Sequence, residues 1–233
     1  ASNGTVGFYT GYETLDVSPS DVLTSATFDY KQMAGNVTIS GLEQIQNSGT
    51  EAIINLLESR IGVLEKTMAN TLSTSLYSDG TGSDGKEVGG LQLLVADAGT
   101  GTVGGINSST FTFFQNVQTT ATSSAFSTTN IQADMNTIYL SLVRGSDSPD
   151  LIMADTNAYK SFLGSLQAIQ RVTSDRVATS GFTSVQYLNS DVIFDDACPT
   201  NKMYFLNTDY LRLEVAANRN FVPGEAKMSV NQD

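Results

Sequence analysis

Apolar residues recur along this chain at two different spacings, and the change from one to the other marks out its elements. They fall at Ile53, Leu57, Ile61, Leu64, Met68 and Leu72, steps of three or four that lay a single stripe along a helix. Just ahead, Ser48-Gly49-Thr50-Glu51 has the spacing of a capping box, which satisfies the first free amides. A helix from Thr50 to about Tyr77 is roughly 42 Å long at its standard rise, whereas a compact domain of this size has a radius of gyration near roughly 17 Å. One helix therefore spans the molecule. Gly62 inside it costs about 1 kcal/mol relative to alanine, which implies a closely packed neighbour or a bend. A second helix is predicted from about Asn130 to Val143, with Ile131, Met135, Ile138 and Leu142 on one face and Arg144-Gly145 ending it.

Elsewhere the pattern is that of strands and turns. Residues 6–17 and 26–39 are rich in aromatic, Thr and Val residues and flank Ser18-Pro19-Ser20-Asp21, which reads as a long antiparallel hairpin. Gly7, Gly11 and Gly35 weaken strand interiors, so this hairpin is expected to be a projecting arm and not part of a buried sheet. After the long helix come a loop at 78–85, a strand-like run at 90–95 and a Gly-rich stretch from Gly99 to Gly105. Residues 119–128, almost all Thr, Ser and Ala, suggest a boundary between subdomains. From Pro149 short elements alternate. Leu151-Ile152-Met153-Ala154 is a buried-type strand, and Asp155 or Thr156 caps a helix carrying Tyr159, Phe162, Leu163 and Leu166. A polar loop from Arg171 to Thr183 precedes strands at Val185–Leu188, Val192–Phe194, Met203–Leu206 and Leu211–Val215. In the last of these, Leu211, Leu213 and Val215 alternate with Arg212 and Glu214, which predicts one buried face and one wet one. The fold class is α+β.

Composition narrows the chemistry. The 233 residues include 12 Lys+Arg, 24 Asp+Glu and no His, a net charge of −12, with 40% hydrophobic and 15% charged residues. That balance fits neither a disordered chain nor a membrane-spanning one, and no apolar run approaches the roughly 18 residues needed to cross a bilayer. Without histidine, Ser-His-Asp hydrolysis, Cys-His proteolysis and histidine-based zinc sites are excluded. Cys198 stands alone, so the chain makes no internal disulfide, and a reducing compartment fits. The basic residues do not cluster, which lets DNA lie nearby without adhering. Ala1-Ser2-Asn3-Gly4-Thr5-Val6 has neither a basic nor an apolar signal region, and this start is expected to be processed or truncated.

The candidate motifs are each better explained without chemistry. Gly80-Thr81-Gly82-Ser83-Asp84-Gly85 spells G-x-G-x-x-G, but it follows a helix where a dinucleotide site needs a strand before and a helix after. Asp79 and Asp84 lack the spacing and terminal Glu of a calcium loop. Asp195 and Asp196 are adjacent residues leaving a strand, so they point apart and suit a solvated turn. Cys198 has no activating base and is expected to be a part-buried, inert thiol. No catalytic, cofactor-binding or metal-binding residue is assigned, and the chain is not read as an enzyme. What remains is shape: a projecting hairpin and a molecule-long helix need partners to cover them, so self-assembly is the inference.

In element order the chain resembles the major capsid proteins of tailed bacteriophages with the Hong Kong 97-like fold. The resemblance rests on Glu58 to Tyr77 running into Ser78-Asp79-Gly80 and Gly89-Gly90-Leu91; on Pro149-Asp150-Leu151-Ile152-Met153; on Phe194-Asp195; and on Met203 to Leu211. It covers about residues 6 to 225. It implies an N-terminal remnant and E-loop hairpin over 1–47, a P domain with spine helix over 48–128, an A domain over 129–207 and a P-domain return strand over 208–233. Arg171 to Thr183 is then a candidate axis-side loop. The implied function is a structural protein forming the icosahedral head around double-stranded DNA, located in the virion capsid and assembled in the bacterial host cytoplasm. Its implied partners are further copies of itself in pentamers and hexamers, and scaffolding, portal and decoration proteins; no membrane and no cofactor are implied. Family members usually carry an N-terminal arm and a longer C-terminal end. The type member's Lys–Asn cross-link finds no clear counterpart, since Lys31 lies away from the hairpin tip. An encapsulin-like compartment shell shares the fold, and an adhesin-like binding module is the alternative from another class. For a DNA-filled shell the net charge implies a neutral or acidic inner wall, and without histidine any acid-triggered rearrangement must run through carboxylates below about pH 5.

Overall fold

The chain's structure is a computed structural model that describes residues 5–14, 24–47, 50–167 and 185–225. Its core is a four-stranded sheet in the order β4-β5-β3-β6, built from β3 (Leu151–Ala154), β4 (Val185–Tyr187), β5 (Ser190–Phe194) and β6 (Met203–Leu206). β3 runs parallel to β5 and antiparallel to β6, with Ile152 opposite both Val192 and Phe205. Both faces of this sheet are covered, which explains why β3 reads as a continuous apolar run instead of an alternating one. On one face Ile131 and Met135 of α5 (Ile131–Leu142) and Phe162 of α6 (Thr156–Gln167) close over Ile152 and Val192. On the other, Tyr77, Cys198, Tyr204 and Leu206 pack with Leu91, Leu151 and Met153. Asp155, not Thr156, caps α6: its Oδ1 accepts from the Ala158 amide at 2.8 Å and its Oδ2 from the Asn201 amide at 2.7 Å. Those two bonds let a carboxylate sit buried.

The long helix α2 runs over Thr50–Ser75, 26 residues or about 39 Å. Gly62 meets open space, not a closely packed neighbour. Ser48 and Gly49 of the expected capping box lie outside the described residues. A capping box is present one helix earlier, on α1 (Gly41–Gln46), where the Ser40 hydroxyl accepts from the Glu43 amide and the Glu43 carboxylate accepts from the Ser40 amide. Arg60 of α2 then grips α1 through both Glu43 oxygens, at 2.7 and 3.1 Å.

Four expectations are corrected. Residues 5–14 and 24–40 contain no strand, so the hairpin ladder is not formed among the described residues, and its turn at 18–21 lies outside them. Residues 24–40 instead run back along α2: the Thr27 amide donates to the Gly104 carbonyl, Lys31 Nζ to the Gly85 carbonyl and Arg60 to the Thr38 carbonyl. Strand-forming composition marks a fit to a pleated surface, and no partner strand supplies one here. The run at 90–95 is helical, α4 (Leu91–Leu94), because a short apolar run suits a buried helical turn as well as a strand. Residues 211–215 form no strand, and Leu213 and Val215 are exposed. Alternation predicts which face is apolar but does not supply the neighbouring ladder that backbone groups need. The loop at 78–85 contains a single turn, α3 (Gly82–Gly85), with Ser83 and Asp84 in the left-handed region. The Gly-rich stretch becomes a two-residue hairpin, β1 (Thr102–Val103) to β2 (Ile106–Asn107), turning on Gly104 and Gly105 at positive φ. The expected loop at 171–183 lies outside the described residues.

Candidate assembly surface

The residues singled out in sequence do not converge. The Gly80–Gly85 segment closes on itself, Asp79 accepting from the Thr81 amide and hydroxyl, which holds its carboxyl below the usual range. Among the described residues no group of three His, Cys, Asp or Glu could hold a metal ion. Asp195 and Asp196 do diverge. Asp196 faces solvent, whereas Asp195 turns inward and accepts from the Tyr77 hydroxyl at 2.6 Å and from the Ala197 amide at 3.0 Å. Cys198 is more buried than the sequence suggests, 6% exposed, and burial first, then the nearby Asp155 and Asp195 charges, pushes its thiol up to about 12.

The junction around Tyr77 is the feature that sequence reasoning missed. Tyr77 lies two residues past the end of α2, yet its ring is 4% exposed in the second core cluster, 6.1 Å from the Tyr204 ring. Burial and the bond to Asp195 raise its pKa well above the usual tyrosine range. Beneath it the chain is pinned by backbone bonds from the Gly90 amide to Ser78 and from the Leu91 amide to Leu76. Gly90 has no room for a side chain, because a Cβ there would lie 2.2 Å from the Leu76 carbonyl oxygen. The signal was the Gly89-Gly90 pair beside an apolar run, but nothing in sequence ties Tyr77 to Asp195, 118 residues away.

The largest chemical feature is apolar surface. Phe8, Tyr9, Tyr12, Phe28 and Tyr30 are exposed before α1, Leu57, Ile61 and Val63 along α2, and Leu213, Val215, Phe221 and Val222 after β6. The α2 stripe expected to be core is therefore only partly covered. An open groove of about 840 Å³ on the α/β unit, lined by Phe126, Tyr159, Lys160 and Phe194 among others, brings no acid–base pair together. No helix of the described residues is long and apolar enough to cross a membrane.

These elements define a mixed α+β fold whose likeness is to a phage capsid chain. No family model and no curated protein matches the chain. Among solved structures its fold resembles a chain of the cyanophage A-1(L) capsid asymmetric unit, with a TM-score of 0.51 at 20% identity. The match covers 73% of this chain and 53% of that one, so this chain spans about half the length of its structural neighbour.

Proposed function

We propose that this chain is a capsid subunit of the Hong Kong 97-like type, self-assembling through pentamers and hexamers into an icosahedral head around double-stranded DNA. The observation that carries the reading is the series of large apolar side chains left exposed before α1, along α2 and after β6, on a fold that resembles a capsid chain. A subunit meant to stay alone does not leave so many large apolar side chains in water, whereas one that closes a symmetric shell covers them with several modest contacts. Residues 1–47 serve as the arm and E-loop across a neighbour, 48–128 as the P domain, 129–207 as the A domain and 208–233 as the return to the P domain. The unpaired, alternating 211–215 segment is where a neighbour supplies the missing ladder. Scaffolding, portal and decoration proteins complete the particle.

Electron microscopy and sedimentation of the full-length protein under assembly conditions test this, and closed isometric particles are expected. Persistent monomers would overturn it. Nuclease-protected DNA inside the particles separates a phage head from a compartment shell, whose content is protein. A strongly basic inner surface in those particles would contradict the expectation that packaged DNA is confined without adhering.

A further inference from the structure

We infer that the hydrogen bond between Tyr77 and Asp195 sets the angle at which α2 leaves the α/β unit and, through that angle, the diameter at which copies of the chain close. The second half rests on the assembly reading; the first stands on the subunit alone. The end of α2 is held in two different ways. The backbone bonds at Leu76 and Ser78 lie on the chain itself and act as a pivot, with Gly90 as the notch that admits the close approach. Tyr77 reaches away from that pivot, through its ring against Tyr204 and its hydroxyl to Asp195 and to the Met153 sulfur at 3.6 Å. A contact at a distance from a pivot resists rotation where bonds at the pivot do not.

The acceptor is itself fixed. Asp195 spends its other oxygen on the Ala197 amide, and its carbonyl accepts from the Cys198 amide at 3.1 Å, so the carboxylate cannot follow a swinging helix. Farther along, Leu57, Ile61 and Val63 of α2 are exposed, and the side-chain bonds of Arg60 go to Glu43 and Thr38 of the preceding segment and not to the α/β unit. In a closed assembly of many copies each joint contributes to the curvature, and a small error repeated at many joints changes whether and where the shell closes.

The test uses full-length protein and three substitutions. Tyr77→Phe keeps the ring and removes the hydroxyl; Asp195→Ala removes the acceptor; Asp195→Asn keeps the link, because its amide N–H donates to the tyrosine oxygen. Spin labels at Glu58→Cys and Thr137→Cys, both exposed positions, report the angle by their distance distribution, while buried Cys198 escapes labelling. The expected result is one narrow distance and one particle diameter for the wild type and Asp195→Asn. For Tyr77→Phe and Asp195→Ala, a broadened distance and a mixture of diameters are expected with unchanged helix content. Unchanged distances in both of these variants overturn the inference, as do unchanged diameters alongside broadened distances. Failure of the wild type to form particles defeats the assembly reading separately, and the distance measurement then decides the joint.

Discussion

At Cys198 a nucleophile is disarmed by its surroundings. Its burial and pKa near 12 leave almost no thiolate at neutral pH. Alkylation by iodoacetamide at pH 8 is expected to be slow in the native protein and to reach one equivalent quickly after denaturation; rapid native labelling would show the thiol to be accessible. Tyr204 lies in the same cluster and Tyr187 against the other face of the sheet, burial raising each from about 10 to about 12. The sign of the linked effect follows. Between the unfolded and folded pKa values the native state holds protons that the unfolded state has released, so stability falls as pH rises. Loss is expected to begin near pH 9 with Cys198 and to steepen above pH 10 with the tyrosines. Urea midpoints measured across pH 8 to 12 check this, and a flat profile would contradict the buried placement. Single residues with local jobs, such as Asp155 as a helix cap, were legible in sequence because cap and helix are adjacent. Tyr77 and Asp195 were not, because their partnership exists only after the sheet has formed.

Among the elements, Gly90 couples α2 to α4 through space rather than through conformational freedom. Gly90→Ala forces a methyl against the Leu76 and Ser75 carbonyls, at 2.2 and 2.6 Å from its Cβ. Overpacking of this kind typically costs about 1–3 kcal/mol, read as a lowered urea midpoint. Phe162→Ala, at a fully buried position between α6 and the sheet, is expected to lower stability by about 3–5 kcal/mol. A smaller loss there would mean that the α5–α6 layer collapses readily into the gap. Periodicity identified α2, α5 and α6 because each carries enough residues to show its repeat, and β3 was legible as an unbroken apolar run. It failed for 90–95, where four apolar residues suit either geometry, and for 211–215 and the arm, where a strand's existence depends on a neighbour that its own sequence does not contain.

For the whole molecule, the segment before α2 and the α/β unit are held by different contacts. Deleting residues 12–27 is expected to leave the four-stranded sheet folded, since neither core cluster draws on the described residues of that segment, and to abolish particle formation. Circular dichroism with electron microscopy of the deletion checks both halves, and normal particles would show the arm to be dispensable. The exposed area also has a thermodynamic reading. On the assembly proposed above, surface covered by another copy would tie folding to mass action, so the amount of chain present would become a variable of its stability. The unfolding temperature should climb with protein concentration, dilution should act as a mild denaturant, and the newly made subunit is most vulnerable in the interval before enough copies have accumulated to meet.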